Sequence, residues 1–156
     1  MIEFEVSRQL RRGQSDAVWV LVKDVASMPR YWGGHREVVV LGSEGRKVTF
    51  RVRFAFPGPN NVGVAQAELD DDARRLRIEY LKGPLVGHVD VKVSEGSIVT
   101  RWRVRVPWYM RLMEPWLKRH FQDGARNALE RLVEAAEASA PNGPGQGGIP
   151  SKLGRS

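Results

Sequence analysis

The sequence predicts an α+β fold in which a curved antiparallel sheet of about seven strands wraps around one long C-terminal helix. Short segments of alternating apolar and polar residues recur from Ile2 to Val106, which is the period-two pattern of strands with one buried face. After Pro107 the apolar spacing changes to about 3.6 residues and keeps that period to Ala138. This helix is the one element long enough to cover the apolar face that the strands share, so the sheet is expected to curl around it.

The chain is expected to open with a strand and two short helices. Residues 2–8 alternate in polarity, as a strand does when one of its faces is buried. Ser15 is placed to cap a first helix, and Asp24 to cap a second short helix that runs through Met28. An aromatic loop at residues 29–34 ends the second helix. These two helices are expected to close one end of the sheet.

Six further strands follow, separated by turns rich in Gly, Pro and Asp. Consecutive strands joined by short turns pair antiparallel, so their order along the chain predicts a meander. The predicted strands cover residues 36–41, 47–56, 62–69, 75–81, 87–93 and 98–106.

The long helix carries small residues where its apolar face should meet the sheet, among them Gly124 and Ala128. Gly inside a helix costs about 1 kcal/mol relative to Ala, so close packing or a ligand is expected beside it. Pro115 suits the first turn of a helix. The helix therefore either starts near Glu114 or continues through Pro115 with a kink.

Length and composition indicate one soluble domain. A chain of 156 residues with 42% hydrophobic content suits a single domain over residues 1–139, and the Gly- and Pro-rich tail at 140–156 is expected to be disordered. No stretch is apolar enough to span a membrane and the start is not that of a signal peptide, so a cytoplasmic location is expected. With no cysteine and three scattered histidines, we expect no metal ion and no cofactor.

The net charge of +7 raises the question of an anionic partner. Arginines recur on the outward rows of the predicted strands: Arg51, Arg53, Arg75, Arg77, Arg101, Arg103 and Arg105. Sheets that bind nucleic acid usually expose aromatic side chains among such cations, whereas here the aromatic residues occupy the inward rows. A nucleic acid is therefore disfavoured as a partner, while attraction to an anionic bilayer needs charge alone and stays open.

A candidate binding site lies where the inward aromatic rows face the small residues of the helix. The aromatic residues concerned are Trp32, Phe50, Phe54, Tyr80, Trp102 and Phe121. Ligand pockets are mostly apolar with a few polar groups, so this composition suits a hydrophobic small molecule. An aromatic residue on an inward strand row is equally typical of a solid core, and the pattern leaves both interpretations open.

Few polar groups could point into such a site, and no catalytic constellation is found. Thr100 and the Tyr80 hydroxyl lie on inward rows, and His120 flanks the apolar arc of the helix, where it could orient a carbonyl or hydroxyl group. A lone histidine at a helix edge is more often a surface residue. His35 and His88 receive no role. The sequence thus favours a protein without catalytic activity.

Several motifs resemble those of the SRPBCC superfamily, the helix-grip proteins related to START domains and birch pollen allergens. The resemblance rests on the run Ser15-Asp16-Ala17-Val18-Trp19, on Asp24 leading to Met28-Pro29-Arg30-Tyr31-Trp32, and on the helix from Phe121 to Leu132. It covers about residues 2–138. Within the superfamily, the chain is most similar to two branches, the G-type accessory proteins of carbon monoxide dehydrogenase and the polyketide cyclase-like proteins.

The resemblance implies a helix-grip fold with a hydrophobic cavity between sheet and helix. It places the entrance at Met28, Tyr31, Trp32 and the region 108–116. It places the lining at Phe50, Phe54, Tyr80, Trp102, Phe121, Gly124 and Ala128. The carbon monoxide dehydrogenase accessory proteins are associated with maturation or membrane attachment of a molybdenum enzyme, often through an apolar tail. The tail of this chain has no apolar segment, so anchoring through it is not expected.

The leading hypothesis is a binder or carrier of a hydrophobic small molecule, such as a quinone, an isoprenoid or another lipid. A redox enzyme and an anionic membrane are its candidate partners. One alternative is a polyketide cyclase-like enzyme that uses Tyr80, Thr100 or His120 as acid–base groups. Another is a module that binds RNA or the ribosome through the outer arginines. The oligomeric state is open, and the apolar residues Trp108 and Trp116 suit a cavity mouth, a membrane contact or a dimer interface equally.

Overall fold

The structure is a computed structural model and describes residues 1–55 and 60–139. The strands are β1 (Ile2–Gln9), β2 (His35–Glu44), β3 (Lys47–Phe54), β4 (Val62–Asp70), β5 (Arg75–Lys82), β6 (Val86–Val93) and β7 (Ser97–Arg105). The helices are α1 (Ser15–Val22), a first 3₁₀ helix (Val25–Arg30), a second 3₁₀ helix (Trp108–Met113) and α2 (Glu114–Ser139). The predicted element order is confirmed.

The strands form one 7-stranded antiparallel sheet in the order β1-β7-β6-β5-β4-β3-β2. Strands β2 to β7 follow one another as a meander, and β1 pairs with β7, so β1 and β2 are the edges. The inward row of β7, from Ile98 to Val104, is buried, whereas Arg101, Arg103 and Arg105 are exposed. This alternation gives the sheet one apolar face, which curves around α2 as the sequence predicts.

The backbone of α2 approaches β1 and α1 most closely. Its buried residues lie at helical spacing on one face: Leu117, Ala125, Ala128, Leu129, Leu132, Val133 and Ala136. They belong to the same hydrophobic core as the inward residues of the strands. Because α2 lies nearest the β1 edge, space is left between its first half and the strands on the other side of the sheet.

The structure decides between the two predicted starts of the long helix. The α-helix begins at Glu114 with Pro115 in its first turn, where a missing N–H costs nothing, and residues 108–113 form a separate 3₁₀ helix. The predicted N-cap role of Ser15 is wrong. Gln14 occupies the cap position, and the Ser15 hydroxyl instead accepts a hydrogen bond from the Arg74 guanidinium at 2.9 Å. The predicted strand end at Phe56 and the tail at 140–156 lie outside the described residues.

Two side-chain contacts fix the short helices to the rest of the fold. The indole N–H of Trp19 in α1 and the Lys23 ammonium both donate to one carboxylate oxygen of Asp71, at 2.9 and 3.2 Å. The hydrogen bond from Trp19 is the main reason that the pKa of Asp71 lies below its usual value. Arg131 of α2 donates to the Tyr31 carbonyl at 3.1 Å, which holds the aromatic loop against the helix. In the described residues, no helix has the length and apolar character needed to cross a membrane.

Candidate ligand-binding cavity

A cavity of about 500 Å³ lies between the inner face of the sheet, the second 3₁₀ helix and the first half of α2. Its buried wall consists of Trp32, His35, Phe54, Pro84, Leu85, Trp102, Leu117 and Ala125, and the half-buried Phe121 and Gly124 complete it. This volume falls within the range of about 300–1,000 Å³ that is typical of small-molecule sites. The space between sheet and helix is therefore a cavity and not a solid core.

One end of the cavity reaches the protein surface. Exposed residues line it there: Gly33, Gly34, Ala55, Asn60, Tyr109, Met113, Trp116 and His120. They come from the aromatic loop after the first 3₁₀ helix, the end of β3, the second 3₁₀ helix and the start of α2. A ligand could enter between these elements without unfolding the sheet.

Trp102 of β7 is the aromatic residue at which the walls meet. Its ring stacks on Phe4 at a centroid distance of 5.3 Å, and it lies 5.8 Å from Phe121 of α2 and 6.1 Å from Trp32. The indole N–H donates to the Thr100 hydroxyl at 3.2 Å, so it needs no partner from a ligand. These contacts hold a rigid aromatic surface on which a planar apolar molecule could stack.

Gly124 leaves the helix side of the cavity open. A Cβ atom built at this position would meet no atom within 4 Å. Close packing, the first explanation that the sequence allows for a glycine inside α2, is therefore excluded. The missing side chain enlarges the cavity.

A buried polar pair lies at the wall opposite the helix. His35 lines the cavity, and its Nε2 atom lies 2.7 Å from the hydroxyl oxygen of Tyr80. Burial lowers the pKa of His35 to about 4 and raises the pKa of Tyr80 above its usual value, so both side chains are neutral at neutral pH. The Nδ1 atom of His35 is buried and has no partner among the described residues.

The hydrogen-bond count favours one tautomer of His35. If the Tyr80 hydroxyl donates to Nε2, the ring proton sits on Nδ1 and a single buried group lacks a partner. If Nε2–H donates to the hydroxyl oxygen instead, both Nδ1 and the Tyr80 proton lack partners in the described part of the chain. A buried unpaired polar group costs about 1–3 kcal/mol. The first arrangement leaves fewer such groups, and it makes Nδ1–H a donor in need of an acceptor.

The predicted site residues divide between the cavity wall and the surrounding core. Those in the wall are Trp32, Phe54, Trp102, His120, Phe121 and Gly124. Those outside it, all buried, are Met28, Tyr31, Phe50, Tyr80, Thr100 and Ala128. Tyr80 still bears on the site through His35. The Thr100 hydroxyl is already used, since it donates to the Asp90 carbonyl at 3.1 Å and accepts from Trp102.

Sequence reasoning gave His35 no role, and a break in the strand pattern explains why. His35 pairs with Phe54, while Glu37 pairs with Arg53, so β2 has a bulge between these two pairs. A bulge inserts a residue and reverses the period-two alternation locally. His35 is therefore buried although Glu37, two residues on, is exposed. The only signal in the sequence was a histidine next to an apolar strand.

His120 has a different environment from His35. It is exposed at the cavity mouth, and its ring stacks on Trp116 with a centroid distance of 5.1 Å and an interplanar angle of 6°. It can therefore meet the outer end of a ligand but not its buried end. Across residues 1–55 and 60–139, no group of His, Asp and Glu side chains could hold a metal ion.

A curved sheet that grips a long helix around an apolar cavity is the arrangement of the SRPBCC helix-grip proteins. Residues 1–137 match the model of the family described as "Polyketide cyclase / dehydrase and lipid transport". The chain therefore belongs to this family. The resemblance to the polyketide cyclase-like branch is confirmed.

Solved structures show the same fold at low sequence identity. A protein from Thermus thermophilus has a TM-score of 0.74 at 19% identity, covering 88% of this chain and 99% of its own. The Zhui aromatase/cyclase from Streptomyces sp. R1128 has a TM-score of 0.66 at 16% identity, covering 86% and 93%. Norcoclaurine synthase from Thalictrum flavum, solved with dopamine and hydroxybenzaldehyde, has a TM-score of 0.58 at 15% identity, covering 86% and 88%. A search of curated proteins finds no match.

Proposed function

We propose that this protein binds and carries a hydrophobic small molecule, such as a quinone, an isoprenoid or another lipid, in the cytoplasm. The observation that carries the proposal is the apolar cavity of about 500 Å³ that reaches the surface at one end. Since a water molecule takes about 30 Å³ in the liquid, the cavity has room for on the order of 15 non-hydrogen atoms. A fused two-ring system fits inside, and a longer chain would extend through the mouth.

The buried polar pair favours a ligand with a carbonyl oxygen. Apolar side chains make up most of the wall, and His35 is its buried polar residue. Its Nδ1–H needs an acceptor, which a quinone or ketone oxygen supplies and a hydrocarbon does not. Among the candidate ligands, a quinone therefore satisfies both the apolar wall and the unpaired donor.

Binding of menadione, a two-ring quinone, tests the proposal directly. Quenching of tryptophan fluorescence should give saturable binding to the wild-type protein, because Trp32 and Trp102 line the cavity. Gly124→Trp should abolish it, since the new side chain would fill the open space beside α2. Gly96→Trp is the matched control, as this glycine lies in a turn away from the cavity and also has no atom within 4 Å of a built Cβ.

Menadione binding that is equal in the wild type and in both variants would contradict the proposal, as would no binding at all. The natural ligand can be sought by mass spectrometry of an organic extract of protein purified from its host. A stoichiometric quinone or lipid in the wild type, absent from Gly124→Trp, is the expected result.

A cyclase-like enzyme is a second candidate function, and the His35–Tyr80 pair is the observation in its favour. A neutral histidine that donates to a carbonyl oxygen stabilises the enolate formed when an adjacent carbon loses a proton. The test is hydrogen–deuterium exchange at the carbon beside the carbonyl of 2-tetralone, followed by NMR. Exchange faster than in buffer, and lost in the double variant His35→Phe/Tyr80→Phe, would support an enzyme. An unaccelerated rate would leave the carrier.

The RNA-binding alternative loses most of its basis in the structure. Four of the outer arginines have carboxylate partners: Arg53 with Glu37, Arg77 with Asp90, Arg101 with Glu5 and Arg103 with Glu3. Paired cations attract a polyanion less than free ones do. The likeness to the carbon monoxide dehydrogenase accessory proteins and the partnership with a redox enzyme stay predictions.

A further inference from the structure

An exposed apolar patch surrounds the cavity mouth. We call it the mouth patch and define it by Trp108, Tyr109, Leu112, Met113 and Trp116. Their exposed fractions are 78%, 56%, 98%, 47% and 54%. All of them lie in the second 3₁₀ helix and the first turn of α2, within nine positions of the chain.

The mouth patch does not serve the core of the domain. The second 3₁₀ helix has no buried residue, although every position in it except Arg111 is Trp, Tyr, Met or Leu. Soluble monomers rarely expose a contiguous apolar patch without a function, because its contact with water is unfavourable. Tyr109, Met113 and Trp116 also line the cavity, so the patch is continuous with the opening through which a ligand would pass.

Cations without carboxylate partners flank the mouth patch. They are Arg105, Arg111, Lys118 and Arg119, all exposed, and in the described part of the chain none of them forms an ion pair. Glu114 is the one acidic residue between positions 105 and 120, and the N-terminal ammonium of Met1 neutralises it at 3.3 Å. The outer sheet face differs, since several of its arginines are paired with carboxylates.

Exposed Trp and Tyr together with unpaired Lys and Arg are the side chains that suit an anionic lipid surface. The aromatic rings enter the interfacial region of a bilayer, where one part of the ring is apolar and the other polar. Lys and Arg gain from anionic headgroups in proportion to their number, with a strong dependence on salt. A protein partner would more often supply carboxylates at fixed positions, and nothing in the patch selects such positions.

We propose that the mouth patch docks on the surface of an anionic lipid bilayer, with the cavity opening facing the lipid. A hydrophobic ligand then passes between the bilayer and the cavity without crossing water. This inference rests on the proposed carrier function, and it names the partner of the same site.

Vesicle co-sedimentation with purified protein tests the docking. The probes are vesicles of phosphatidylcholine alone and vesicles with phosphatidylglycerol added. Wild-type protein should bind the anionic vesicles at least tenfold more tightly, and added salt should weaken the binding. Trp108→Glu/Leu112→Glu should reduce binding to anionic vesicles at least tenfold, and Arg111→Glu/Arg119→Glu should remove the preference for phosphatidylglycerol.

Matched controls separate docking from other effects of the substitutions. Val20→Glu places the same charge at another exposed apolar position, on α1, and Arg51→Glu reverses a charge on the outer sheet face. Both should bind vesicles as the wild type does. Neither Trp108 nor Leu112 lines the cavity, so the docking variants should still bind menadione in solution, which also shows that they are folded.

Each possible result decides the matter. Equal vesicle binding by the wild type and the docking variants, or no binding by either, overturns the docking while intact menadione binding leaves the carrier function standing. A dimer that Trp108→Glu/Leu112→Glu converts to monomer, without loss of vesicle binding, means that a second copy covers the patch and also overturns the inference. Vesicle binding without menadione binding contradicts the carrier function alone.

Discussion

Two histidines line the cavity in different environments. His35 is buried and hydrogen-bonded to Tyr80, and His120 is exposed at the mouth on the face of Trp116. The buried one stays neutral well below neutral pH because desolvation penalises its charged form. At the residue scale, the polar chemistry of the inner cavity therefore depends on a single side chain and the hydroxyl group behind it.

Stability should fall between about pH 6.5 and pH 4 because of His35. Burial lowers its pKa from 6.5 to about 4, so in this window the unfolded chain binds a proton that the folded protein does not. The free energy of unfolding should decrease by about 3 kcal/mol as the pH falls through the window. Urea denaturation at about pH 7 and about pH 4.5 measures the difference.

The double variant His35→Phe/Tyr80→Phe is the control for this pH dependence, since it removes both hydrogen-bonding partners and keeps their shape. Its stability should change little in the same window. The pKa of Asp70 is lowered mainly by a hydrogen bond from the Ala73 backbone, and that of Asp71 mainly by one from Trp19. These carboxylates contribute stability above their unfolded pKa of about 3.8, and it is lost only at lower pH. An equal loss in the variant would contradict the assignment to His35.

A ligand that carries a carbonyl should be selected over its hydrocarbon. Wild-type protein should bind menadione about tenfold more tightly than 2-methylnaphthalene, because one hydrogen bond to a buried donor contributes about 1–1.5 kcal/mol. In His35→Phe/Tyr80→Phe the two affinities should converge. Calorimetric titration of both ligands into both proteins gives the four constants, and an unchanged ratio would exclude His35 as the polar contact.

Gly124→Ala should stabilise the protein by about 1 kcal/mol. Ala favours a helix interior over Gly by this amount, and the added methyl group would meet no atom within 4 Å. Denaturant unfolding of the two proteins provides the comparison. A destabilised variant would mean that the helix packs more closely at this point than the structure shows.

At the scale of single elements, departures from regular geometry shape the site. The bulge in β2 turns His35 inward, and the second 3₁₀ helix places its apolar side chains at the surface instead of in the core. Another departure lies in β6, where Gly87 has a φ of +131° and sits against the backbone of β7. It pairs with Tyr80, so this point of the sheet lies beside the buried polar pair.

Gly87→Ala should destabilise the protein by roughly 2–4 kcal/mol. Residues with a side chain rarely adopt this φ, and the new Cβ would lie 2.3 Å from the Arg103 carbonyl oxygen, which is backbone and cannot move freely. Gly96→Ala, in the turn between β6 and β7, has open space and should change stability by less than about 0.5 kcal/mol. Thermal unfolding of both variants tests the contrast, and similar melting temperatures would refute the close approach.

At the scale of the whole molecule, α2 does not fill the space that the curved sheet encloses. Its backbone lies near β1 and α1, and the cavity occupies the gap toward the end of β3 and the second 3₁₀ helix. Such a cavity leaves wall atoms without van der Waals partners, which lowers stability until a ligand supplies them. Ligand binding and stability are therefore coupled through the entire fold.

Menadione should raise the stability of the whole domain. At a free concentration of about one hundred times its Kd, a ligand that binds only the folded state adds about 2.7 kcal/mol, which corresponds to a rise in Tm of roughly 10 °C for a domain of this size. Differential scanning fluorimetry of the wild type should show this rise. Gly124→Trp should show no rise because its cavity is filled, and an equal rise would place the ligand elsewhere.

The order of strands and helices, the inward rows and the family were all determined by the sequence. A period of two or 3.6 residues states which face of each element is apolar, and the direction of a side chain relative to its own backbone follows from that period. This is why the rows of β7 and the apolar face of α2 could be predicted residue by residue.

Only the tertiary structure decided which inward residues line a cavity and which fill the core. Phe50 and Phe54 lie on the same row of β3, yet Phe50 is core and Phe54 is cavity wall, because α2 crosses the sheet nearer its other edge. Periodicity gives the direction of a side chain but not the distance between two elements. The same limit applies to His35, whose inward position results from a bulge that depends on the pairing of β2 with β3.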